Sequence, residues 1–267
     1  MTDVQFTSFD AVVLQGIVTL PPISKAALLM VHGIPSDRDE WGFYTDMSEY
    51  FAGVDIASLR FDFRGCGGSA PFPLEALTLS AMIADIDAAY WALREIIGGD
   101  IPIHIVGTSC GGGVSLRWHN LLNRRVASIQ LMAPVLDYEF EVTGSTRTVR
   151  PDGPSGLNPE LAAKLESTGK VNDDIGYGRA MLNEAHLFNG AAELAAAQCP
   201  VTIYQGAKDS VVPLSLTRAM IGDETKTELV VVEGADHGFA VDGDDDLTDP
   251  ATKANHRFVY REMFERI

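Results

Sequence analysis

Hydrophobic positions along this chain fall into short, nearly unbroken runs separated by stretches with helical spacing. Ala26 to Val31 reads AALLMV, without one polar position, which predicts a strand covered on both faces. Ile103 to Val106 is a second short run of β-branched character, and Ile56 to Phe61, Val126 to Ala133, Val201 to Gln205 and Glu228 to Val232 extend the series. Val4 to Phe9 and Ala11 to Leu20 read as a pair of strands joined by a tight turn near Asp10. Between the runs lie helical patterns at about Phe43 to Phe51, Val114 to Leu122 and Leu214 to Ile221, with a terminal helix from about Ala251 to Ile267. The longest, Leu77 to Ile97, places Met82, Ile83, Ile86, Ala89, Tyr90 and Leu93 on one face and is ended by Gly98 and Gly99. Such alternation predicts an α/β fold with a doubly wound, mainly parallel sheet and helices on both faces.

The regularity drops between Tyr138 and Gln198, a stretch punctuated by Pro151, Pro154 and Pro159. It holds only helical pieces such as Glu160 to Glu166 and Gly178 to Leu187. A connection this long inside a compact domain is usually functional. The expected organisation is a core of residues 1–137 and 199–267, with a small cap, 138–198, inserted after the sixth strand. An inserted structural subdomain is the plainer alternative.

Composition narrows the function classes. The chain has 267 residues, 46% hydrophobic and 21% charged, an ordinary globular balance able to bury a sizeable core. A formal charge of −17 excludes a basic stripe for nucleic acid and points to solubility or a saline host. No apolar run is long enough to span a membrane, and MTDVQFTSFD lacks the marks of a secretory signal. Cys66, Cys110 and Cys199 have no metal-like spacing and read as reduced thiols, so the expected location is cytoplasmic. The acidic run Asp242 to Asp249 lacks EF-hand spacing and reads as a solvated loop.

Chemistry enters at Gly107-Thr108-Ser109-Cys110-Gly111, a G-x-S-x-G string between a predicted strand and a predicted helix. A serine on such a turn projects its hydroxyl outward, and side chains at the flanking glycines would collide with neighbouring backbone. The serine needs a base and a group that orients the base. In an open α/β sheet such groups gather at the carboxyl ends of strands. Those ends carry His32 to Ile34, then Ser109, then Lys208-Asp209-Ser210, then Asp236-His237-Gly238-Phe239. The order serine, aspartate, histidine is the one a nucleophile elbow uses. Asp137 is an alternative acid and Cys110 an alternative nucleophile, although that register puts Thr108 where the first glycine belongs. The loop Asp62 to Ser69 is glycine-rich but has no P-loop lysine, so a tight loop with Arg64 tying neighbouring carbonyls or carboxylates together is expected.

The stretches LLMVHGIPSDRDEW, IASLRFDFRGCGGS, IHIVGTSCGGG, LMAPVLD, VTIYQGAKDSVVP and VVVEGADHGF together resemble the α/β-hydrolase family. Within it they resemble serine esterases related to bacterial cinnamoyl (feruloyl-type) esterases. The resemblance implies Ser109 as nucleophile, His237 as base and Asp209 as its orienting acid. It further implies an oxyanion hole from the backbone N–H groups of Ile34 and Cys110, with His32 shaping that loop. The insertion offers Tyr138, Phe140, Tyr177, Met181, Leu182 and Phe188 as pocket lining, or as the insertion's own small core.

The resulting expectation is a carboxylic-ester hydrolase acting on a small-molecule ester with a small to medium acyl group, aromatic ones included. The mechanism requires no cofactor and no metal. The sequence allows a homodimer and leaves the oligomeric state open. A thioesterase or biosynthetic acyl-transfer or elimination enzyme, a proline-type aminopeptidase and a non-catalytic ligand-binding protein of the same fold share these signals.

Overall fold

The polar-free strand is covered on both sides, and its two sets of side chains enter separate cores. In a computed structural model that describes residues 1–143, 157, 159–171, 175–222 and 226–267, β1 (Thr2–Thr7), β2 (Val13–Thr19) and β3 (Ala26–Val31) come first. Ala26, Leu28 and Met30 of β3 join a buried cluster with Phe43, Tyr44 and Met47 of α1 (Phe43–Ala52). Ala27, Leu29 and Val31 join a larger cluster with Ala57 and Leu59 of β4 (Ile56–Phe61) and Met82 and Ile86 of α2 (Leu79–Ile97). The period-two alternation of a strand divides the apolar residues between two helical layers.

The chain continues through β5 (Ile103–Thr108), α3 (Ser109–Leu122) and β6 (Ser128–Met132). Then come α4 (Tyr138–Thr143), α5 (Pro159–Thr168), α6 (Arg179–Leu187) and α7 (Gly190–Ala196). It closes with β7 (Val201–Gly206), α8 (Leu214–Met220), β8 (Thr227–Val232) and α9 (Pro250–Phe264). One sheet has the order β1-β2-β4-β3-β5-β6-β7-β8. β1 and β2 pair antiparallel, as do β2 and β4, and the remaining neighbours are parallel. β4 lies on one side of β3 and β5 on the other, so the strand order reverses there. A crevice forms at such a switch point, beyond the carboxyl ends of the strands. In the register Val31 is opposite Gly107, so His32 and Ser109 leave the sheet side by side.

The long amphipathic helix buries the six residues of its predicted face. The Thr78 side chain accepts the Ala81 N–H at its start, and Gly98 ends it at φ +64°. The first hairpin differs from expectation: Ser8 and Val12 close the turn, β1 stops at Thr7, and the Phe9 ring is 97% exposed instead of continuing the strand. Arg64 is buried and binds the Asp85 and Asp10 carboxylates and the Ser8 hydroxyl, tying the glycine-rich loop to α2 and to the turn between β1 and β2.

The described part of residues 138–198 holds α4 to α7, with a β-bridge between Lys170 and Gly178. α6 packs on α4 and on the 3-10 turn Leu74–Ala76, and Glu184 accepts both the Ser80 N–H and the Ser80 hydroxyl. Its buried residues Leu165, Val171, Met181, Ala185 and Leu194 belong to the same apolar cluster as α2 and α3. Among the described residues no helix is long and apolar enough to cross a membrane.

Candidate active site

β5 ends and α3 begins without an intervening residue, so the backbone must turn sharply at Ser109, whose φ is +51°. Side-chain-bearing residues rarely occupy this left-handed region, and such strain persists only where the surroundings hold it. The holding contacts are close. A Cβ on Gly107 would lie 2.8 Å from Gly112 Cα, and one on Gly111 would lie 2.3 Å from the His32 carbonyl oxygen. Both positions therefore demand glycine. Helix α3 starts at Ser109, five residues before the hydrophobic pattern predicts, because the glycines carry no side chain to show the periodicity.

Two loops bring the titratable partners. Asp209 follows β7 and its carboxylate is fully buried. Oδ1 accepts the N–H groups of Val211 (3.0 Å) and Val212 (2.9 Å), and Oδ2 accepts from Gln205 Nε2 (2.6 Å). His237 follows β8 and donates Nδ1–H to Asp209 Oδ2 at 2.9 Å. Burial opposes charge on His237, but the hydrogen bond to Asp209 and the charges of Asp209, Glu40 and Glu141 outweigh it and raise its pKa above 6.5. The alternative acid Asp137, and Asp236 beside His237, are occupied elsewhere. Asp137 accepts the Phe140 N–H at the start of α4, and Asp236 Oδ1 accepts from Gly238 and Ala240 in its own loop.

The Cys110 side chain is fully buried, and burial pushes its thiol up to about 12. Its carbonyl accepts the Tyr138 hydroxyl, and the Tyr177 hydroxyl lies 3.9 Å from its sulfur. His32 is also fully buried. Its Nε2 accepts the Phe63 N–H at 2.9 Å, so the proton sits on Nδ1 and is given to the Gly33 carbonyl at 2.5 Å. Burial lowers its pKa, so it stays neutral.

Ser109 and His237 share a cavity of about 440 Å³. Its walls include Ile34, Pro35, Trp41, Phe43, Ile175, Val211, Phe239 and Leu247, with the carboxyl groups of Glu40, Glu141 and Asp245. The apolar residues that the insertion offers as lining lie elsewhere. Tyr138, Tyr177 and Met181 are fully buried, Phe188 packs edge-on against Tyr138 with ring centroids 4.6 Å apart, and Leu182 packs on the same cluster. Phe140 borders a separate small hollow with Val135, Leu136 and Asp137. Tyr138 and Tyr177 fasten residues 138–198 to Cys110 in the turn after Ser109, and an apolar stripe has the same spacing in either role. Sequence reasoning missed Glu40, Trp41, Glu141, Asp245 and Leu247. The last two fall in the acidic run read as a solvated loop, where the Asp244 carboxylate accepts the N–H groups of Thr248 and Asp249 and folds the run back on itself. Among the described residues no cluster of three or more histidine, cysteine or acidic side chains could hold a metal ion.

A family model described as "Alpha/beta hydrolase family" matches residues 28–249. The chain belongs to the alpha/beta hydrolase family. This alpha/beta hydrolase also resembles solved structures along nearly its whole length. One is Est1E from Butyrivibrio proteoclasticus with ferulic acid bound, at TM-score 0.75 and 19% identity, covering 98% of this chain and 99% of that one. Another is a putative hydrolase from Agrobacterium vitis, at TM-score 0.71 and 20% identity, covering 100% and 98%. A third is a thermophilic esterase from Thermogutta terrifontis with malate bound, at TM-score 0.65 and 19% identity, covering 100% and 99%. At these identities the likeness is one of fold. No curated protein matches this alpha/beta hydrolase.

Proposed function

We propose that this alpha/beta hydrolase is a serine esterase, cleaving carboxylic esters of small to medium acyl groups, aromatic ones included, through an acyl-enzyme. The observation that carries the reading is the His237–Asp209 pair, hydrogen-bonded at 2.9 Å, with His237 on the wall of the cavity that contains the elbow Ser109. Ser109 Oγ attacks the ester carbonyl and gives its proton to His237 Nε2. The Ile34 and Cys110 N–H groups receive the developing oxyanion, each such donor contributing about 3 kcal/mol in comparable sites. The carbon–oxygen bond to the alcohol then breaks and His237 returns the proton to the leaving alcohol. Water attacks the acyl-enzyme while His237 takes its proton; the bond from the acyl carbon to Ser109 Oγ then breaks, His237 returns the proton to Ser109, and the acid is released.

Residues 138–198 serve as the cap in this reading, over a core of 1–137 and 199–267, and among its described residues Ile175 and Glu141 reach the cavity wall. A cavity of about 440 Å³ bounded by Trp41, Phe43 and Phe239 suits a compact or aromatic acyl group. The ferulic acid on the Butyrivibrio protein has that shape. The unpaired cysteines accord with a cytoplasmic enzyme. The test is a panel of p-nitrophenyl butyrate, a feruloyl ester, an acyl-thioester and an aminoacyl-arylamide, with Ser109→Ala as control. Turnover of the oxygen esters that is lost in Ser109→Ala is expected. Turnover confined to the thioester or the arylamide would replace this reading.

A further inference from the structure

We propose that Glu40 is a positioning residue of this site, bracing the loop that presents the Ile34 N–H and adding its charge to the field at His237. The inference rests on the serine-hydrolase reading above and goes beyond it, because no step of that mechanism uses Glu40.

The first observation is the brace. Glu40 Oε1 accepts the Gly33 N–H and Oε2 accepts the Ser36 hydroxyl at 3.1 Å, so one carboxyl holds both ends of the Ile34-Pro35 tip. Gly33 lies between this carboxyl and the nucleophile. A Cβ there would sit 3.1 Å from Ser109 Cβ and 3.4 Å from Glu40 Oε1. A shift of the carboxyl therefore passes directly to the backbone beside Ser109.

The second observation is how the carboxyl comes to be there. Glu40 and Trp41 have φ of +43° and +55°, and Gly42 follows at +89°. Two successive left-handed residues with side chains cost about 1–2 kcal/mol each. The loop is held in that form from β4 and the residue after it. Arg38 binds Asp62 through its N–H (2.7 Å) and guanidinium (2.6 Å), and Asp39 accepts from Arg60 at 2.5 Å. The result turns a carboxyl inward, 8% exposed, onto the cavity wall.

The third is electrostatic. Burial pushes the Glu40 carboxyl up to about 7, against the Gly33 N–H, the Ser36 hydroxyl and the charge of His237, with Asp37 adding to the rise. Burial, with the charge of Glu40 adding to it, raises the Tyr44 hydroxyl well above its usual value. His237 in turn feels Asp209, Glu40 and Glu141, each of which favours its charged form.

The experiment measures the second-order rate at which a fluorophosphonate labels Ser109 across pH, which needs no knowledge of the natural substrate. In that reaction Ser109 Oγ displaces fluoride from phosphorus and His237 takes the proton. Glu40→Ala removes the brace and should slow labelling about a hundredfold, as a misplacement of about 1 Å does in other active sites. Glu40→Gln keeps an amide oxygen for the Gly33 N–H but loses the charge. It should label at close to the wild-type rate at high pH, with its acid limb moved to lower pH. Labelling of Glu40→Ala at the wild-type rate, or an unmoved acid limb in Glu40→Gln, overturns the inference. If Glu40→Ala does not fold, the Glu40→Gln profile decides alone. A wild-type protein that resists labelling removes the hydrolase reading and this inference with it, whereas wild-type labelling that is indifferent to Glu40 removes this inference only.

Discussion

Replacing Asp209 with asparagine changes one oxygen for an NH₂ group, and the surrounding donors determine where that group goes. Oδ1 faces two backbone N–H groups that cannot reverse, from Val211 and Val212. The amide oxygen therefore stays on that side and the NH₂ takes the place of Oδ2, facing Gln205 Nε2 and His237 Nδ1. Gln205 cannot turn over at no cost, because Nε2 also donates to the Val212 carbonyl and Oε1 accepts from Thr217. Two donors then face one another in a buried pocket, which costs about 1–3 kcal/mol of stability. His237 can relieve its side of the conflict by moving its proton to Nε2, where it can no longer accept from Ser109. Where this tautomer error has been isolated in a serine hydrolase triad, kcat fell about ten-thousandfold, or roughly 5 kcal/mol of barrier. Burst and steady-state kinetics with p-nitrophenyl butyrate, paired with urea unfolding, read both quantities. Asp209→Asn with kcat within tenfold of wild type would refute this reasoning and send the search for the acid to Asp137.

Four further outcomes follow from the same geometry. Because His237 is raised above 6.5, kcat/KM should climb with pH along an acid limb lying above that value, and a limb below it contradicts the assignment. The same shift makes the His237 contribution to stability full below the unfolded-state pKa and lost as pH rises through the folded one, which urea midpoints across that window would report. Gly111→Ala drives a methyl to within 2.3 Å of the His32 carbonyl and should cost about 3 kcal/mol, read as a lower urea midpoint; an unchanged midpoint contradicts the packing. Asp85→Asn leaves the buried Arg64 guanidinium with only the half-exposed Asp10 as counter-charge, for a loss of about 3 kcal/mol by the same assay.

The parts of this molecule that were legible in its sequence are those where a short segment determines its own environment. AALLMV can only be a strand buried twice over, and the spacing of Met82, Ile86, Tyr90 and Leu93 can only serve a helix with one covered face. Asp209 and His237 were found because a strand end is recognisable and parallel strands deliver their carboxyl ends to one edge. The misses share a cause: burial that depends on distant chain. Tyr138 and Tyr177 look the same in sequence whether they line a cavity or anchor to Cys110. Glu40 reads as one more charge in SDRDEW until the left-handed turn at Glu40 and Trp41 directs it inward. Phe9 reads as the end of a strand, and only the Ser8–Val12 closure shows that the hairpin leaves it outside.

The central claim is that Ser109 is the nucleophile, and mass spectrometry of the fluorophosphonate-treated protein tests it most directly. The account predicts one adduct per chain, mapped to the peptide containing Ser109 and absent from Ser109→Ala. An adduct on Cys110 or any other side chain, or persistent labelling of Ser109→Ala, would contradict it.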